Sequence, residues 1–206
     1  MWVEHPPFWY RLLFPGALFR EKPTDTKPGT VYITFDDGPE PKVTPRVLDT
    51  LDRYGIKATF FMVGENVSRH PMLFNEVVKR GHAIGNHTFH HVKGWKLGVK
   101  EYLKEIHEGE KITGSRLFRP PHGFLTPFQL RAVKRSHKVV MFDIVTRDYD
   151  FHITAPEILL IVKKYVRDGS IIVFHDSIKS FPRMENALPE VLDWLIEKGY
   201  KFEVIK

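Results

Sequence analysis

Apolar and polar positions along this chain alternate between two rhythms. Short β-branched and aromatic runs at residues 31–35, 58–63, 83–85, 117–118, 138–142, 170–174 and 201–205 read as buried strands. Between them, apolar residues spaced three and four apart predict helices over 43–54, 71–80, 99–113, 126–136, 155–168 and 185–198. Local punctuation agrees: Gly55, Gly81, Gly169 and Gly199 follow predicted helices, and Thr126-Pro127 opens one. Repeated strand–helix alternation predicts an α/β fold with a parallel sheet, and seven such strands suffice to close a barrel. Residues 1–30 break the pattern, with five prolines and no period. They read as an N-terminal arm, packed on the barrel or partly mobile, ahead of one domain over 31–206.

Composition narrows the class. The chain has 206 residues, 42% hydrophobic and 27% charged, which suits one globular domain and excludes disorder. A net charge of +6 is spread without a basic stripe, so nucleic acid is not an expected partner. No stretch approaches the roughly 20 apolar residues of a membrane span, and the first residues lack the basic start, clean apolar run and cleavage site of an export signal. The chain reads as soluble, with its compartment left open. It has no cysteine, which excludes disulfides and thiolate metal sites, but eleven histidines, a high count that directs attention to metal or acid–base chemistry.

In parallel α/β architectures, ligands bind at the carboxyl ends of the strands. This chain concentrates its reactive side chains there. The first strand ends in Asp36-Asp37 and turns at Gly38-Pro39. The third leads into His87-Thr88-Phe89-His90-His91 and the fourth into Arg119-Pro120-Pro121-His122-Gly123. The fifth leads into Asp143 and then Arg147-Asp148-Tyr149, and the sixth into His175-Asp176. One such end is ordinary turn chemistry; five together make a site.

His87 and His91 stand four apart, so one helical turn puts both imidazoles on one face. That arrangement holds a divalent cation when a carboxylate such as Asp37 adds a third ligand; His90 is a rival for one position. Pro120 and Pro121 lack N–H groups, which leaves the His122 amide free to point into the site and steady an oxyanion. Arg119 suits the steadying of a carboxylate. His175, whose ordinary pKa is near neutrality, suits a general acid.

Four ordered motifs, TFDDGP at 34–39, His87-Thr88-Phe89-His90-His91, RPPHG at 119–123 and IIVFHD at 171–176, resemble those of the polysaccharide deacetylases. These carbohydrate esterases, which share the NodB-homology domain, include chitin and peptidoglycan N-acetylglucosamine deacetylases. The resemblance runs from about Val31 to the C-terminus. It implies a distorted seven-stranded (β/α) barrel, TIM-barrel-like, and one divalent metal, usually zinc. It implies that Asp36 is the general base, that Asp37, His87 and His91 hold the metal, that Arg119 positions Asp36, and that His175 is the general acid. The implied substrate is an acetylated poly- or oligosaccharide such as peptidoglycan or chitin, with N- or O-acetyl groups, handled at the cell envelope or outside the cell.

The chain departs from the family pattern in one motif. Where Asp-x-x-Asp-Trp is usual, it reads Val145-Thr146-Arg147-Asp148-Tyr149, with Asp143 two positions before Val145. Asp143 and Asp148 are therefore both candidates for the carboxylate that tunes Arg119 or His175. Tyr149 takes the place of the groove-lining tryptophan, and Trp95 and Phe124 are further candidates for stacking on sugar rings. The alternative is a catalytically inactive carbohydrate-binding relative.

Overall fold

The computed structural model describes residues 4–22 and 29–206. Seven parallel strands form one sheet: β1 (Thr30–Asp36), β2 (Thr59–Met62), β3 (Ala83–Asn86), β4 (Leu117–Phe118), β5 (Lys138–Val139), β6 (Ile144–Val145) and β7 (Ile171–His175). Their order is β5-β4-β3-β2-β1-β7-β6, and β8 (Lys201–Phe202) pairs with the first residues of β1. The helices are α1 (Phe8–Leu12), α2 (Thr44–Tyr54), α3 (Gly64–Arg69), α4 (Pro71–Lys79), α5 (Val99–Thr113), α6 (Pro127–Val133), α7 (Ala155–Tyr165) and α8 (Phe181–Glu197). Along β1 the side chains alternate. Val31, Ile33 and Phe35 pack in the main core with Leu48 and Leu51 of α2 and Leu188 and Leu192 of α8, whereas Thr34 and Asp36 meet Arg119. With both faces covered, every β1 residue is buried.

The two edge strands, β5 and β6, are consecutive in sequence, and this forces the barrel. Val139 and Ile144 are five residue steps apart, a reach of at most about 18 Å. The edges of a flat seven-stranded sheet would lie about 29 Å apart at ~4.8 Å per strand spacing. The sheet must therefore curl to bring its edges within that reach. The expected strand over 138–142 holds only as β5, to Val139; the chain then crosses the seam and adds β6 beyond the expected run. β6, too short to set a hydrophobic period, is the seventh barrel strand, and the 201–205 run supplies only the short β8. The helices α1 and α3 were also not legible, since one lies among prolines and the other has a single buried apolar side chain, Val67.

The described part of the arm packs along the seam. The Leu18 N–H donates to the Val139 carbonyl (2.8 Å), and the Leu18 carbonyl accepts from Met141 (2.7 Å). Arg20 bridges Ser170, and the Glu4 carbonyl accepts from Val145. Tyr10, Phe14 and Phe19 are buried in a second core with Phe118, Leu130 and Val139. Residues 1–3 and 23–28 of the predicted arm lie outside the described residues. Beneath the seam, the fully buried Asp143 accepts hydrogen bonds from Arg11 (2.6 Å), Arg167 (2.8 and 3.1 Å) and Ser170 (2.8 Å). Burial opposes its charge, but Arg167, Ser170 and Arg11 outweigh it and hold the carboxyl below its ordinary pKa. Asp143→Asn places an amide donor among these donors. The expected result is a loss of about 2–3 kcal/mol of stability, read as a lower urea midpoint with an unchanged denaturant slope.

Candidate active site

The site is assembled from the carboxyl ends of β1, β3, β4 and β7. After Asp36, Asp37 takes a φ of 85°, and the Gly38–Pro39 peptide is cis. Asp176, buried just past β7, holds this turn: its carboxylate accepts from the Gly38 amide (3.0 Å) and the Thr44 hydroxyl (2.6 Å). A Cβ on residue 38 would collide with that carboxylate, which explains the glycine. Asn66 donates to the Asp37 carbonyl at 2.8 Å. Asn66 was not named from sequence, and Asp176 was named at its strand end without a role. Asp176 lies in a recognised motif, but nothing in its spacing reveals that it faces a turn on another strand.

Asp37 Oδ1 lies 3.2 Å from His91 Nε2 and 3.9 Å from His87 Nε2. The three donor atoms are all within 4.8 Å of one another. His87 donates its Nδ1–H to the Arg119 carbonyl (2.8 Å), which fixes the tautomer and turns the Nε2 lone pair toward Asp37. Burial pushes the His87 imidazole down to about 4, so it is neutral at pH 7. Burial opposes ionisation of Asp37, but the His91 hydrogen bond and the neighbouring His175 and His87 outweigh it and hold the carboxyl below its ordinary value. Two imidazoles and a carboxylate with converging lone pairs fit a divalent cation. The expected helical turn is absent. Thr88 (φ 64°) and His91 (φ 54°) instead bend a loop that brings His87 and His91 together. His90 turns away and pairs with Glu105 at 2.9 Å.

Beside this cluster, Arg119 Nη1 donates to Asp36 Oδ1 (2.6 Å) and to the Thr34 hydroxyl (2.8 Å), while Nη2 donates to the Met141 carbonyl (3.0 Å). The guanidinium lies 4.0 Å from the Phe61 ring centroid and is only 1% exposed. Across the β1–β7 pairing, Asp36 is opposite His175. His175 shares a 2.7 Å hydrogen bond between Nδ1 and Asp148 Oδ1, and its backbone N–H donates to Asp148 Oδ2 at 2.7 Å. Burial pushes the imidazole down, but Asp148, with Asp37 and Asp36, outweighs that and raises His175 to about 9. Of the two candidate carboxylates, Asp148 faces His175; Asp143 is committed to the seam.

These groups line a cleft of about 510 Å³. Tyr149 forms one wall, its ring edge-on to His175 at 5.1 Å. Tyr10 of α1 reaches the same cleft, its hydroxyl bonded to the Gly123 carbonyl; among many aromatics, nothing in the sequence marked it. His122, with a φ of 59°, lines the same cleft, its ring 4.8 Å from the His91 ring. Trp95 stands exposed beside His122 at 5.5 Å. Phe124 packs against Phe14 in the second core and does not line the cleft.

Residues 24–142 match the family described as polysaccharide deacetylase. The chain is 34% identical over 197 residues to a peptidoglycan-N-acetylglucosamine deacetylase of Bacillus cereus, covering 92% of each protein. It is 32% identical to a peptidoglycan-N-acetylmuramic acid deacetylase of Bacillus subtilis, over 92% of this chain and 40% of that protein. It also superposes on the crystal structure of a peptidoglycan N-acetylglucosamine deacetylase bound to 4-naphthalen-1-yl-N-oxidanyl-benzamide. The TM-score is 0.85 at 28% identity, over 97% of this chain and 94% of that one. Sequence and fold agree over nearly the whole length, and the chain belongs to the polysaccharide deacetylase family.

Proposed function

We propose that this chain hydrolyses the acetamide of N-acetylated sugars in peptidoglycan, with residues 31–206 as the catalytic domain and the arm completing its seam. The observation that carries the reading is the single cleft in which Asp36 and His175, each held by its own charged partner, stand beside the Asp37–His87–His91 cluster. A divalent cation held by Asp37, His87 and His91, zinc on the strength of its nitrogen and oxygen donors, supplies Lewis acidity that makes water acidic and an acetyl carbonyl electrophilic.

The remaining steps belong to the chain's own residues. Asp36 accepts the proton of the attacking water, and Arg119, which has no acceptor, keeps that carboxylate aimed and charged. The His122 amide donates to the oxygen that gains charge as the carbonyl carbon becomes tetrahedral. His175, tied at Nδ1 to Asp148, presents Nε2–H to the leaving nitrogen. As the C–N bond breaks, that proton moves to the amine, and acetate and a free amino sugar depart. Tyr149 and Tyr10 offer ring faces or edges to a sugar, and Lys179 adds positive charge to the wall. That charge, with the peptidoglycan deacetylases among its relatives, favours a wall polymer bearing carboxylates over neutral chitin, and such a substrate puts the work at the cell envelope. No helix among the described residues is long and apolar enough to cross a membrane.

Three experiments test this. Metal-stripped protein should release acetate from peptidoglycan and from a short N-acetylglucosamine oligomer only after zinc is restored. Absence of release with zinc bound would point to the binding-only alternative. Asp36→Asn should keep its zinc, because it spares the cluster, yet lose about 10²–10⁴ in kcat; activity within a few-fold of wild type would remove Asp36 as base. Asp148→Asn takes away the main force raising His175, so burial then lowers its pKa. The alkaline limb of kcat/KM should move to lower pH, and an unmoved limb would remove the pair from proton transfer.

A further inference from the structure

A second cluster lies at the other end of the barrel, by the amino ends of the strands. Glu110 sits in the last turn of α5, which leads toward β4; His107 precedes it by three residues, on the same face; and His137 immediately precedes β5. His107 Nδ1 and His137 Nε2 each lie 3.3 Å from the same carboxylate oxygen, Glu110 Oε2. We infer that His107, Glu110 and His137 hold a second divalent cation of the zinc class.

Three observations support this. The first is spacing. Tetrahedral bonds of about 2.0–2.1 Å put neighbouring ligand atoms about 3.3–3.4 Å apart, and both nitrogen–oxygen separations here are 3.3 Å. The second is an orphan: His137 is 5% exposed, and its Nε2 is buried with no hydrogen-bond partner although it faces Glu110. The third is the support behind the donor atoms. Ser136 Oγ sits 2.9 Å from His137 Nδ1, the ring abuts Phe118, and Arg116 Nε donates to Glu110 Oε1 at 3.0 Å. That leaves Nε2 and Oε2 for a cation, as outer partners do around metal ligands. The negative end of α5 adds to the attraction. Two nitrogens to one oxygen disfavours magnesium and calcium, which take oxygen ligands. The exposed His107 leaves an approach for the ion and a water in the fourth position.

Such an ion would pin the end of α5 to the turn before β5. The same helix carries Glu105, whose carbonyl and carboxylate hold Phe89 and His90 in the loop between His87 and His91. The cation would thus act as a staple on the helix that buttresses the catalytic loop.

The test is zinc stoichiometry of the untagged full chain, stripped of metal and measured by equilibrium dialysis with elemental analysis. Wild type should take two equivalents, and His107→Ala one while keeping zinc-dependent acetate release. Asp37→Ala should also take one, and cobalt(II) in that variant should show a tetrahedral visible spectrum that Asp37→Ala/His107→Ala lacks. Saturation of wild type at one equivalent, or two equivalents retained by His107→Ala, overturns the inference. Should Asp37→Ala fail to fold, wild type against His107→Ala decides alone. A wild type that takes one equivalent and still releases acetate removes the second site and leaves the deacetylase reading standing.

Discussion

Arg119 has to remain charged inside the barrel, and much of the architecture at the carboxyl ends of the strands follows from satisfying it. Its guanidinium is met by the Asp36 carboxylate, the Thr34 hydroxyl, the Met141 carbonyl and the face of Phe61. Removing one partner from a buried pair of this kind costs about 3–5 kcal/mol, because the other charge is stranded. The backbone of the same residue orients His87. One position just past β4 thus fixes both the carboxylate beside the cleft and a ligand of the cation cluster, so neither can shift without the other.

The second constraint is topological. Parallel strands bring all their carboxyl ends to one side, and edge strands only four residues apart oblige the sheet to roll. The strand order sets β1 and β7 side by side, and rolling carries Asp36, Asp37 and His175 toward the loops after β3 and β4. It also leaves a seam where the ladder breaks. The chain repairs that seam with the Leu18 backbone above and the Asp143 charge cluster below.

Much of this was legible in the sequence, because the reactive residues are contiguous with the strands that place them. Asp36, Asp37, Arg119 and His175 sit where an apolar strand run ends, so strand prediction also located the chemistry. What escaped was carried by few residues or by distant contacts. β6 is two residues long. The loop that joins His87 to His91 depends on left-handed conformations at Thr88 and His91 that their residue types do not favour. Asp143 and Asp148 look equivalent on paper, and only the fold shows one serving the seam and the other His175. Phe124, a candidate for stacking on sugars, turned to the core, and Tyr10, which had no expected place, reached the cleft, because aromatic character alone does not set direction.

The seam has a consequence for how the chain is made. Arg11 waits for Asp143, 132 residues downstream, and at synthesis rates of about 5–20 residues per second that is roughly 7–26 s. Until Phe118, Leu130 and Val139 follow, Tyr10, Phe14 and Phe19 have only part of their core to enter. A segment made before its packing partners is thus covered late in synthesis.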